Sequence, residues 1–108
     1  MKIAMTCQNR RTVTPHAGKC THFFLFDTQK DMRQPERSIV LSPQQMFRHQ
    51  AFNENHPLAV ADALVTAGIG DGLHRQWQQM GKQVYVTYEL EPSKALQAAM
   101  KKLDNTDN

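Results

Sequence analysis

The stretch from Ala63 to Tyr88 restricts the fold of this chain more than any other. It opens with the apolar run Ala63-Leu64-Val65-Thr66-Ala67, which reads as a buried strand. Gly68-Ile69-Gly70-Asp71-Gly72 ends that run. Leu73, Trp77 and Met80 then recur at helical spacing, and Gly81 supplies the helix stop. Val84 to Tyr88, β-branched and aromatic, reads as the next strand. A strand, a helix and a strand in this order return to one sheet as a parallel pair joined by a right-handed crossover. The fold class expected is therefore α/β.

The first half has a different rhythm. Lys2 to Cys7 reads as a strand, Gln8 to Lys19 as a polar loop containing Pro15 and Gly18, and Cys20 to Asp27 as a second strand. In that second strand the run Phe23-Phe24-Leu25-Phe26 is apolar on both alternating faces, which predicts burial on both sides. Gln29 to Gln34 is a turn and Ser38 to Leu41 a short third strand. Three strands so closely joined predict an antiparallel meander. Ser42 to His56 carries little pattern beyond Pro43-Gln44-Gln45-Met46-Phe47, which could open a short helix. Pro57 suits a first helical position, so a short helix is expected from there toward Asp62. Pro92 opens a last helix with Leu96, Met100 and Leu103 on one face and Lys101 and Lys102 near its negative end. The order is β-β-β-α-β-α-β-α. It predicts a mixed five-stranded sheet with helices on both faces, one domain over residues 1–103, and a frayed tail from Asp104 to Asn108.

A chain of 108 residues leaves room for one core, and 40% hydrophobic with 21% charged residues is a globular balance. The formal net charge of +3 is mostly spread, with local pairs at Arg10-Arg11 and Lys101-Lys102. A nucleic-acid binder concentrates such residues on one face, so no nucleic-acid partner is expected. No apolar stretch approaches the roughly 20 residues that span a bilayer, and the N-terminus turns polar too soon for a signal peptide. The expected compartment is the cytoplasm, where Cys7 and Cys20 would be free thiols or ligands and not a disulfide.

Two loops carry the candidate chemistry. Gly68-x-Gly70-x-Gly72 lies between a strand and a helix, where a ligand can approach the backbone and free N–H groups favour an anion. A tight turn needs glycine there on steric grounds alone. The spacing is not that of a dinucleotide loop, although Glu89 lies about where a ribose-binding acid would. The second loop, Arg10 to Cys20, joins two strands expected to pair, which would bring Cys7 near Cys20 with His16 between them. Thiolate and imidazole together suit iron, copper, zinc or an iron–sulfur cluster. No Cys-x-x-Cys pair or zinc-finger spacing is present. His22, His49, His56 and His74 complete a set of five histidines, each readable as a surface or packed residue when taken singly. No nucleophile elbow, His-Glu-x-x-His or lysine-bearing phosphate loop occurs, so the chain is not expected to be an enzyme.

Taken together, Met1-Lys2-Ile3-Ala4, Thr12-Val13-Thr14-Pro15-His16-Ala17-Gly18-Lys19, the aromatic strand, His56-Pro57-Leu58 and Ala67-Gly68-Ile69-Gly70-Asp71-Gly72-Leu73 resemble the dinitrogenase iron–molybdenum cofactor biosynthesis family, the NifX/NifB-type domain. The resemblance runs from Met1 to about Leu103. It implies a ribonuclease-H-like, three-layer fold and the binding or escort of iron–sulfur or iron–molybdenum clusters or their precursors. A cofactor-assembly or nitrogenase-related protein is the partner it implies. Members commonly carry glycine where this chain has Pro15, and Cys7 and Cys20 look particular to this chain. The first strand offers no carboxylate for metal-dependent hydrolysis, so the implied shape does not carry nuclease activity.

On this reading His16 is the expected metal or cluster ligand, with Cys20 and Cys7 as possible thiolate ligands. His16, Gly18, Lys19, Gly68, Gly70, Gly72 and Arg11 form the expected cofactor-binding set. Backbone N–H groups around Gly70 to Leu73 would steady anionic sulfides, and Lys19 or Arg11 would neutralise charge. The alternatives are a metal-free interaction module and a small thiol- or nucleotide-dependent enzyme.

Overall fold

A computed structural model describes residues 1–104; residues 105–108 of the expected tail lie outside the described residues. The strands are β1 (Lys2–Thr6), β2 (His22–Asp27), β3 (Arg37–Val40), β4 (Ala63–Thr66) and β5 (Gln83–Val86), and the helices are α1 (Asp71–Gln79) and α2 (Pro92–Asp104). They form an α/β unit on one five-stranded mixed sheet of order β3-β2-β1-β4-β5. β1 pairs antiparallel with β2, and β2 with β3, which is the expected meander. β4 pairs parallel with β5, as the strand-helix-strand block requires, and also lies parallel beside β1, which joins the two halves of the sheet.

Register and burial agree residue by residue. Ile3 faces Phe26 and Ala4 faces Leu25 across the β1–β2 ladder, while Ala4 faces Leu64 and Met5 faces Val65 across β1–β4. Because strand side chains alternate, these pairs sort into two sets. Ala4, Phe23, Leu25 and Leu64 join one buried cluster, to which α1 contributes Leu73 and Trp77. Ile3, Met5, Phe26, Ala63 and Val65 join another, to which α2 contributes Ala95, Leu96, Ala99 and Leu103. The central strands β1 and β4 are buried almost throughout, and the edge strands β3 and β5 are not.

Three sequence expectations change in detail. The helix expected from Pro57 is a 3₁₀ turn, Pro57–Val60, and Pro43–Gln45 is another. The second has both halves of a capping box, Ser42 with Gln45. Neither turn is long enough for an apolar face, so each serves as a connector. The last helix continues through Asp104, one residue into the expected tail. Its buried face includes Ala95 and Ala99 beside Leu96 and Leu103, whereas Met100 is only partly buried. Gly81, with φ of 75°, takes the left-handed conformation that ends α1.

The unpatterned middle earns its burial through rings. Leu41, Phe47, Phe52 and Leu58 pack into the cluster that holds Trp77. Phe47 stacks on His56 with centroids 4.4 Å apart and meets Phe52 and Trp77 edge-on, at 5.3 and 6.0 Å. Apart from its 3₁₀ turns, this segment packs on the sheet without helix or strand because aromatic packing, not backbone periodicity, holds it.

Candidate functional site

β1 and β4 lie side by side and parallel, so the loops that leave them emerge at the same end of the sheet. The two loops are tied to each other through buried hydroxyls. Thr6 and Thr66, both fully buried, lie with their hydroxyl oxygens 2.8 Å apart. Thr6 donates to the Thr14 carbonyl at 2.6 Å, and the Gly68 N–H donates to the Thr66 hydroxyl at 3.3 Å. Backbone bonds complete the tie: Ala67 N–H donates to Thr14 O at 3.2 Å, and Ala17 N–H to Gly68 O at 3.1 Å. Glycine at position 68 leaves room for this close approach. A Cβ placed on it would stand 3.2 Å from the Pro15 Cβ and 3.6 Å from the His16 nitrogen. Proline at position 15 thus packs on glycine at position 68.

His16 stands at the crest of the first loop with φ of 65° and ψ of 55°, a left-handed conformation rare outside glycine. It caps the 3₁₀ turn Ala17–Lys19 by its backbone position, and its ring makes no capping hydrogen bond. Strain of this kind costs about 1–2 kcal/mol and is held by the surrounding hydrogen bonds. The ring is exposed, and it stands over an open cleft of about 540 Å³ lined by Pro15, His16, Ala17, Gly18, Lys19, Arg48, Gly68, Ile69 and Gly70. A smaller depression of about 320 Å³ shares Pro15, His16 and Lys19 and reaches Cys20.

The structure therefore brings His16, Gly18, Lys19, Gly68 and Gly70 together. Gly72 lies one residue inside α1 and, like Arg11, is exposed but does not line the cleft. Asn9 folds the Arg11 segment into a local turn, its carbonyl accepting the Arg11 and Thr12 N–H groups. The second cation of the lining is Arg48, which no sequence signal marked because it sits in the unpatterned middle. The threonine pair was equally invisible, since only the β1–β4 register makes it a pair.

Cys7 and Cys20 are both free and both buried, at 0% and 2% exposure. Burial pushes the Cys7 thiol up to about 12, helped by the nearby Cys20. Burial likewise pushes Cys20 up to about 11, against the opposing hydrogen bonds its sulfur makes, among them one of 3.1 Å to the His22 carbonyl. Each thiol thus sits in an environment that keeps it protonated. Among the described residues, no three His, Cys, Asp or Glu side chains are grouped so as to hold a metal ion.

The remaining histidines have other tasks. His22 places Nδ1 3.0 Å from the Cys7 carbonyl and Nε2 3.1 Å from the Ser38 hydroxyl, so it carries its proton on Nδ1. His56 is the reverse tautomer. Its Nδ1 accepts the Leu58 N–H at 3.0 Å, and its Nε2–H donates to the Gln45 carbonyl at 2.8 Å. Burial lowers the pKa of both rings. His49 and His74 lie outside the cleft lining. Glu89 also lies outside it, and its carboxylate accepts the Leu90 N–H at 3.0 Å, which leaves the nucleotide alternative without its acid in the cleft.

The molecule is thus an α/β sheet with an open, glycine-backed cleft at the carboxyl ends of two adjacent parallel strands. The sequence model of the dinitrogenase iron–molybdenum cofactor family matches residues 1–102, and the chain belongs to that family. Among solved structures, the crystal structure of PH0822 shares the fold, with a TM-score of 0.54 at 20% identity over 87% of this chain and 82% of that one. No curated protein sequence matches. No helix among the described residues is long and apolar enough to cross a membrane.

Proposed function

We propose that this protein is a non-catalytic carrier that binds an iron–sulfur or iron–molybdenum cluster, or a precursor of one, as cargo at the His16 cleft. The observation that carries the reading is His16 itself. Its strained backbone holds an exposed, uncommitted imidazole over a cleft whose charged lining residues, Lys19 and Arg48, are both cationic. Membership of the iron–molybdenum cofactor family supplies the chemistry of the cargo. Imidazole is a fitting ligand for iron, and a cluster's anionic sulfides suit Lys19 and the N–H groups at the start of α1. The cleft volume lies in the range of small-ligand sites.

Cys7 and Cys20 are left out of the proposed ligand set. Both are buried in the packed interior, at 0% and 2% exposure, and neither lines the cleft that holds His16. Arg11 is left out because it does not line the cleft. With α1 and α2 supplying different clusters against alternating residues of β1 and β4, a three-layer, ribonuclease-H-like arrangement is the fold we favour. The cargo would pass between cofactor-assembly proteins. The metal-free docking alternative draws on Val86, Tyr88 and Leu90, exposed large side chains at and beyond the edge strand β5.

Anaerobic titration of the reduced protein with iron–sulfur and molybdenum–iron–sulfur cluster donors, followed by visible absorption and native mass, tests the reading. Stoichiometric uptake is expected, weakened at least about tenfold in His16→Ala and unchanged in Cys7→Ala if that variant folds. Uptake that ignores His16 removes the ligand from the proposal. A folded protein that takes up nothing leaves the docking alternative.

A further inference from the structure

We propose that Arg48 is the residue through which the cleft selects its cargo by negative charge. The inference rests on the carrier reading above and adds to it the group that discriminates. Phe47 and Arg48 are consecutive and have opposite surroundings. Phe47 is 7% exposed, stacked on His56 and edge-on to Phe23, Phe52 and Trp77. Arg48 is exposed and lines the cleft. Its own N–H donates to the Gly18 carbonyl at 3.0 Å, which fastens this segment to the His16 loop. The Met46 carbonyl accepts the His49 and Gln50 N–H groups at 2.9 and 3.0 Å, closing the turn around it.

The backbone of Arg48 is thus fixed by a ring in the core on one side and by the cleft wall on the other. Its guanidinium is left unspent. Ion pairs among the described residues are Lys2 and Lys30 with Glu36, Arg33 with Asp31 and Lys94 with Glu91, and neither Arg48 nor Lys19 enters one. The cleft lining contains no carboxylate; Asp71, next after Gly70, lies outside it. Two unneutralised cations beside one imidazole disfavour a bare metal cation and favour an anion. A guanidinium presents several donors in one plane, which suits the sulfide or oxo face of a metal–sulfur anion better than a single point charge does. Arg48 reaches the cleft from a separate segment of chain, so the charge can be removed without touching either loop that forms the site.

Tetrathiomolybdate, a mononuclear molybdenum–sulfur dianion, is a suitable probe. Its binding to wild-type protein, Arg48→Gln, Arg48→Lys and, as a remote control, Arg33→Gln is measured at low salt and at about 0.5 M salt, with melting temperature recorded for each. Loss of a charge-assisted contact predicts about tenfold weaker binding in Arg48→Gln at low salt. Arg48→Lys recovers part of that loss, the gap to wild type narrows at high salt, and Arg33→Gln binds as wild type does. Melting temperatures stay equal because the side chain is exposed. Equal affinity and equal salt response in Arg48→Gln overturns this inference and leaves the carrier reading standing. A fall in melting temperature that Arg48→Lys does not restore makes the residue structural and also overturns it. Failure of the wild-type protein to bind both this probe and the cluster donors overturns the carrier reading and this inference with it.

Discussion

His16 and His56 sit on either side of the segment that carries Arg48, and their surroundings are opposites. His56 is 3% exposed, satisfies both ring nitrogens and stacks on Phe47. His16 is exposed, sits at a positive φ and makes no capping bond with its ring. One imidazole is consumed by the fold, and the other is held out of it at a cost in backbone strain. The difference teaches which histidine is available for a ligand: the one whose removal the fold would not notice.

The sharpest break of that contrast is His56→Ala. It removes the cap of the Pro57 turn, the bond to Gln45 and a stacked ring, for an expected loss of about 3 kcal/mol in denaturant unfolding. A loss below about 0.5 kcal/mol would erase the distinction between the two rings. The same ring governs the response to acid. Burial lowers the pKa of His56, and of His22, from the ordinary 6.5. Above that value both rings are neutral whether folded or not, and stability is flat. As pH falls below it the unfolded chain takes up protons first, so stability declines until the folded-state values are passed. Unfolding curves from pH 7.5 to 5 are expected to show this decline in wild-type protein and a shallower one in His56→Ala. A parallel decline in the two would assign the acid sensitivity to other groups.

Gly68→Ala probes the seam between the loops. The new methyl would meet the stiff Pro15 ring at 3.2 Å, so the loops must part by a few tenths of an ångström. About 1–2 kcal/mol of stability is expected to be lost, with weakened cargo uptake. Pairing it with Pro15→Gly, which removes the obstructing ring, is expected to restore much of the loss in a double-mutant cycle. Additive effects would mean that the two positions do not press on each other.

The smallest effect expected is at the crest itself. His16→Gly relieves the left-handed strain and makes the unfolded chain more flexible, two effects of about 1 kcal/mol that oppose each other. Stability is expected to stay within about 0.5 kcal/mol of wild type while cargo uptake falls as it does in His16→Ala. A large loss of stability in His16→Gly would show that the ring packs, and would put His16 in the same class as His56.

Much of the architecture was legible before any coordinates. The block from Ala63 to Tyr88 predicted the parallel β4–β5 pair, and the closely spaced early strands predicted the antiparallel half of the sheet. The two loops singled out for chemistry are the two that meet at the cleft. These features are local: they follow from periodicity, glycine placement and short connections, which a chain displays in its order of residues. The segment from Ser42 to His56 stayed opaque because rings packed on the sheet hold it, and ring packing has no period.

The sequence by itself therefore determined the class of fold, the antiparallel early strands, the parallel β4–β5 pair and the presence of His16 on a glycine-bearing loop. Tertiary structure alone decided which candidates meet. It brought Arg48 into the cleft through one backbone bond to Gly18, left Arg11 outside the cleft lining, buried Cys7 and Cys20 as protonated thiols, and joined Thr6 to Thr66 across the ladder. The physical reason is range. Strand and helix propensities act over a few neighbours, whereas a site is assembled from residues far apart in the chain, whose positions depend on register and packing.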